Sequence, residues 1–269
     1  MRFSAPFALA WALFLLLVQA PALAANNPAV VLRDIHSAQL LLQASAASFH
    51  RYQGAEGDNK HLKTLNADLL LLKDALRAVF QDLADMGMNN EQAQLKGHWQ
   101  EAARNLNTAL SAIGGKGFAE GQVVNDYLLN HYKAAKDLRN AYAAVVKLTG
   151  VQINPLVQAL RDQTLLMQEL CTLYLEQSYA TYAYTYRREL GDEEGLDQMA
   201  TRFRKGLDKL QVPATGNLPA LLADARSKWQ FLEKSFVNYN ENSVPYLVLK
   251  FAPTIIGNLQ QMTAALDPA

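Results

Sequence analysis

Five histidines, one cysteine and a sparse set of glutamines are the residues of this 269-residue chain whose types invite a chemical reading. His36, His50, His61, His98 and His131 supply no Glu-x-x-His pair of the kind a di-iron bundle needs twice. His36 and His50 share nearly one helix face, but they stand several turns apart and cannot hold one ion. All five are therefore expected to be capped or surface histidines. Cys171 is alone, which excludes an intramolecular disulfide, a four-thiolate zinc site and a C-x-x-C-H haem attachment. The run Gly114-Gly115-Lys116-Gly117 lacks phosphate-loop spacing and reads as a flexible turn, and no G-x-S-x-G elbow occurs. These residues predict no enzyme, no metal and no cofactor.

Binding chemistry has two other candidates. Gln163, Thr164 and Gln168 interrupt a segment that is otherwise apolar, with Glu169 beside them and Tyr174 beyond, and Gln39 and Gln43 echo them earlier in the chain. A buried glutamine must be hydrogen-bonded, by a core neighbour or by a ligand. Both options stay open on sequence alone. Tyr179, Tyr182 and Tyr186 fall on one helical face, where they pack between bundles or stack on a guest. The acidic turn Glu189 to Asp197 lacks the spacing of a calcium loop and fits helix capping.

Apolar spacing of three and four identifies the elements that must carry these side chains. Leu62, Leu65, Leu69, Leu72, Leu76, Val79 and Leu83 form one such stripe. Further stripes run from Leu95 through Trp99 to Ile113, from Val124 through His131 to Val145, and from Leu218 through Trp229 to Tyr239. Short polar or glycine-containing breaks separate them, as between antiparallel helices. Asn154-Pro155 reads as an N-cap followed by proline, and Asn217 and Ser243 are expected to cap in the same way. Eight helices are predicted, near 28–53, 59–86, 90–112, 121–149, 155–190, 193–211, 217–239 and 243–266. The fold class is all-α.

Landmarks then recur in order. Leu40-Leu41-Leu42-Gln43 returns as Leu165-Leu166-Met167-Gln168, and Leu65, Leu69, Leu72 and Leu76 return as Leu196, Ala200, Phe203 and Leu207. Trp99 corresponds to Trp229 and Tyr127-Leu128 to Tyr246-Leu247. Offsets that drift only through loops predict an internal duplication: two tandem up-down four-helix units, 27–150 and 151–269. Both tryptophans, mid-stripe, are expected to be largely buried.

The segment Asp162-Gln163-Thr164-Leu165-Leu166-Met167-Gln168-Glu169-Leu170-Cys171-Thr172-Leu173-Tyr174-Leu175 leads into an acidic turn, a helix ending Gly206-Leu207-Asp208-Lys209-Leu210, and a helix carrying Trp229. In this order it resembles the PilJ-type domain, the periplasmic N-terminal sensor module of type IV pilus methyl-accepting chemotaxis transducers, which is similar to helical nitrate/nitrite-sensing modules. The resemblance covers the second unit and, more faintly, the first. It implies a ligand-sensing helical bundle with arginines flanking a Ser-Gln pair. This chain has Asp162, Thr164 and Glu169 at those positions and Met167 for the serine, with Gln39, Leu42 and Ala44 in the first unit. Only Gln43 and Gln168 remain, so oxyanion sensing does not carry over, and Glu169 points to a neutral or cationic guest.

Charge balances at 25 basic and 25 acidic residues, which argues against a nucleic-acid partner. Arg2, the apolar run Ala8 to Val18 and Ala22-Leu23-Ala24 read as a signal peptide over 1–24, and no cysteine follows for lipid anchoring. The expected protein is periplasmic. It is a sensor-like binding module for a small neutral or cationic ligand or for a membrane-bound envelope or signalling protein, or else an envelope adaptor that kept the bundle and lost the pocket. N-terminal sequencing of the exported form should read a start at Ala25; a start at Met1 in a membrane fraction would overturn the signal-peptide reading.

Overall fold

The computed structural model describes residues 27–179, 194–239 and 243–267. The signal peptide, Tyr182, Tyr186, and Glu189 to Glu193 of the acidic turn lie outside the described residues. Eight α-helices and no strands make up the described part: α1 (Pro28–Gly54), α2 (Asn59–Asp85), α3 (Asn89–Lys116), α4 (Gly121–Thr149), α5 (Pro155–Tyr179), α6 (Leu196–Lys209), α7 (Leu218–Val237) and α8 (Pro245–Leu266). None of them is long and apolar enough to cross a membrane.

Helix boundaries follow local chemistry. The Asn27, Asp58 and Asn154 side chains accept hydrogen bonds from the backbone N–H groups of Ala29, Lys60 and Leu156, and so start α1, α2 and α5. Helix α3 runs past the glycine pair predicted as a turn and stops at Gly117, whose φ of 80° is the left-handed C-cap that side chains resist. Ser243 does not cap α8. Its hydroxyl faces that of Ser178, and Val244 takes the cap position with its N–H donating to the Tyr174 hydroxyl at 2.6 Å.

Packing runs in two circuits. Helix α1 lies against α2 and α4, with α3 on α4 and a thin α2–α3 contact; α5 lies against α6 and α8, with α7 between those two. The apolar cores follow the same division. One gathers Leu160, Met167, Tyr174, Phe203, Trp229 and Phe236 from α5 to α7, and two smaller ones gather residues of α1 to α4. Helix α1 also packs directly on α5, so these two helices form the spine of the molecule. Fifteen residues of α1 are buried, Gln39, Gln43, Ser45, Ser48 and His50 among them.

Polar ties pin the circuits. Arg161, 3% exposed, reaches Asp267 at 2.7 Å and the Tyr142 hydroxyl at 3.3 Å. His98 Nδ1 meets Asp137 at 2.6 Å and joins α3 to α4. One landmark expectation changes, and one landmark pair differs in burial. Trp229 is buried, whereas Trp99 is only half-buried because it sits beside the thin α2–α3 contact. Tyr127 is 1% exposed and Tyr246 70%, since Tyr246 occupies the first turn of α8, outside the apolar core, whereas Tyr127 lies well inside α4.

A Cβ on Gly54 would lie 2.3 Å from the Tyr179 ring where α1 meets the end of α5, while one on Gly97 meets nothing within 4 Å. The two alanine substitutions should therefore differ in sign. Denaturant unfolding should show Gly54→Ala destabilised by about 1–3 kcal/mol through overpacking and Gly97→Ala stabilised by about 1 kcal/mol through helix propensity.

Candidate functional site

Helices α1, α4 and α5 meet along a seam that carries most of the polar side chains buried between the circuits. Helix α1 supplies Gln39 and Gln43, α4 supplies Arg139, and α5 supplies Glu169, all converging with Ala135 and Leu165 on a crevice too narrow for a water molecule. Arg139 Nη1 lies 3.2 Å from Glu169 Oε1, an ion pair between α4 and α5 that is partly open to solvent. The buried Thr172 hydroxyl lies 2.9 Å from the Gln43 carbonyl oxygen and 3.0 Å from that of Gln168, and its single hydrogen is shared between an α1 and an α5 acceptor. Beside these groups is a cavity of about 30 Å³ lined by Gln43, Tyr132, Arg139, Glu169, Thr172, Leu173 and Met199. That is room for one or two waters.

The seam continues toward the C-terminal ends of α1 and α5. Tyr132 donates its hydroxyl to the fully buried carboxylate of Glu176. Next to it His131 of α4 and His50 of α1 are both completely buried, contrary to the capped or surface placement expected of them. The apolar spacing of α4 decided the matter for His131, because position 131 lies on the face that α1 covers. Burial holds both imidazoles below their ordinary value, at about 4 for His50 and about 3 for His131, so both are neutral at pH 7. Tyr127 is pushed up by burial and by the nearby Glu176 charge. Cys171 is likewise pushed up by burial, which makes it an inert thiol. Among the described residues no three of His, Cys, Asp and Glu form a metal-binding group.

No family model, curated protein or solved structure matches the chain. What the site can do therefore rests on its own geometry.

Of the seven residues singled out in the sequence, Gln39 and Gln43 lie on α1, and the five on α5 separate onto different faces of that helix. Gln39, Gln43 and Glu169 come together at the seam, with Gln168 offering its carbonyl oxygen to Thr172. Thr164 turns inward and donates to the Leu160 carbonyl at 2.7 Å within its own helix. Gln163 lies flat on Gly206 of α6, where a Cβ would come within 2.0 Å of its amide nitrogen. Tyr174 is buried in the α5–α8 core, with its ring edge-on to Phe236 and Tyr239. Arg139, Tyr132, His50, His131 and Glu176 were not singled out as a site. Arg139 follows Leu138 of the α4 stripe directly, but its partner stands thirty residues away, and periodicity carries no signal for such a pairing.

Tyr174→Phe removes the acceptor for the Val244 N–H at the start of α8. It should cost about 1–2 kcal/mol in chemical denaturation and leave the Arg139–Glu169 region unchanged in chemical-shift maps.

Proposed function

We propose that this protein is a sensor-like helical binding module that takes a small polar ligand at the α1–α4–α5 seam. The observation that supports this most is the convergence of Gln43, Arg139, Glu169 and Thr172 from three helices on a small cavity, with Gln39 lining the crevice beside it. Polar side chains in a core lower stability unless something engages them. Arg139 sets a positive charge beside Glu169, so the seam suits a neutral polar or zwitterionic guest in preference to a bare cation.

The reading includes the resemblance to PilJ-type sensor domains, an exported periplasmic chain without its signal peptide, and two duplicated four-helix units, 27–150 and 151–269. The shared order of helix contacts, α1-α2-α3-α4 and α5-α6-α7-α8, supports the duplication. Under this reading α1 and α5 are equivalent helices packed on one another, and ligand binding between them changes how the units lean together. A membrane-bound envelope or signalling protein would read that change. One observation favours the alternative of a ligand-free envelope adaptor: the Thr172 hydroxyl and the Arg139–Glu169 pair satisfy part of the seam from within.

Thermal unfolding of the mature chain against small neutral and zwitterionic metabolites separates the two. A ligand at a hundred times its dissociation constant should add about 2.7 kcal/mol. Gln43→Leu should abolish that shift while the apo protein keeps its fold. No shift with any compound, together with Gln43→Leu more stable than the parent, would favour the adaptor.

A further inference from the structure

His50 and His131 present an unusual condition at the α1–α4 interface. Both side chains are 0% exposed, and none of their four ring nitrogens has a hydrogen-bond partner. Aromatic rings wall them in. Phe49 is edge-on to Tyr127 at 4.9 Å, His50 stands 5.4 Å from Phe49, and His131 stands 5.9 Å from Tyr127 and 5.4 Å from Tyr132. A neutral imidazole tolerates such a site at the cost of its unmade hydrogen bonds. An imidazolium is disfavoured, because it brings a charge and two N–H donors into a closed site where no ring nitrogen has an acceptor in hydrogen-bond geometry, Gln53 being the near one at His50.

We propose that His50 and His131 form an acid-responsive latch: neutral, they hold α1 against α4 beside the seam, and protonated they part these two helices and open it. The latch rests on this packing alone, and the binding reading says only what it would expose.

Groups of both signs face the pair, and those that act on His131 oppose its protonation. The two histidines are close enough that a charge on either disfavours the other, and Arg139 on α4 adds a fixed positive charge that acts on His131. On α1, Gln53 lies near His50 and opposes its shift weakly without reaching hydrogen-bond geometry, and Arg51 adds a cation one residue away. Helix α5 presents Glu176, which receives the Tyr132 hydroxyl and acts on Tyr127. From α2 the charged neighbour is Asp68, which is engaged by the Ser48 hydroxyl, and α3 brings the apolar Leu106, Ala109 and Ile113 to this core.

The direction of the pH effect follows from burial. The unfolded chain binds protons at histidine near 6.5, while the folded pair stays neutral to about 4 and about 3. Stability is complete above pH 6.5 and falls as pH drops through the window below it. Between pH 7.5 and 5.5 opening should become easier by about tenfold per histidine, or about a hundredfold for the pair. Carboxylates titrate lower, so the upper part of this window belongs to histidine.

Hydrogen exchange of the full chain at pH 7.5 and 5.5, corrected for intrinsic rates, tests the latch. Amides in the last turns of α1 and in the first half of α4 should lose protection by up to about a hundredfold while α7 and α8 hold theirs. The double variant His50→Leu/His131→Leu should lose the share of the two histidines and keep at most the about tenfold contribution of His36, which burial also holds down at about 4. Equal loss across α5 to α8, or the same loss in the double variant, would overturn the proposal. Imidazole proton resonances of the unsubstituted protein give a second measurement should the variant fail to fold. Silence of both rings down to pH 5 is expected, and titration of either at pH 6 or above would overturn it.

Discussion

A helix packed on three sides has little room in which to leave a polar group, and the middle and end of α1 are packed in this way. With α2, α4 and α5 all against it, the buried Gln39, Gln43, Ser45, Ser48 and His50 must be satisfied by neighbours or left wanting. The outcome is uneven. Thr172 reaches the Gln43 backbone, the Ser45 hydroxyl turns back to Leu42, and Ser48 engages Asp68, while His50 receives nothing. Those differences divide the seam into a hydrogen-bonded end near Gln43 and an aromatic end near His50. The rest of the architecture is arranged around that spine: α4 and α5 are the two helices that see both ends, and they carry Arg139, His131, Glu169 and Glu176.

Periodicity made the helices legible. The three-four stripe of α2 places Leu65, Leu72, Leu76, Val79 and Leu83 in the core, and asparagine or aspartate marks the starts of α1, α2 and α5. Signals failed where a single local rule met a tertiary competitor. Ser243 lost its capping role because the Tyr174 hydroxyl, seventy residues away, takes the N–H of Val244. Trp99 has the right spacing and half the burial, since spacing tells which face points inward and not how closely the next helix approaches.

Site residues were legible to a lesser degree, for a related reason. Polar interruptions of an apolar stripe announce that something is unusual at Gln43 and Glu169. They do not say which side of α5 will face α1. Thr164 and Tyr174 carry the same kind of signal and turn out to serve the interior of their own circuit, one through its own helix and one through the start of α8. Histidine chemistry suggested exposure for His131 while its place in the α4 stripe suggested burial, and the stripe prevailed because an apolar face must be covered along its whole length.

Arg161 and Asp267 stand 106 positions apart in the chain and 2.7 Å apart in the fold. A polypeptide is made in one direction, so the guanidinium leaves the ribosome long before its carboxylate exists, and the neutral Tyr142 hydroxyl, made earlier, cannot balance the charge. Burial of Arg161 is costly until then. Closure of the α5–α8 circuit over Arg161 is thereby tied to the last residues of the described chain, so that the final turn of α8 completes a site laid down at the start of α5.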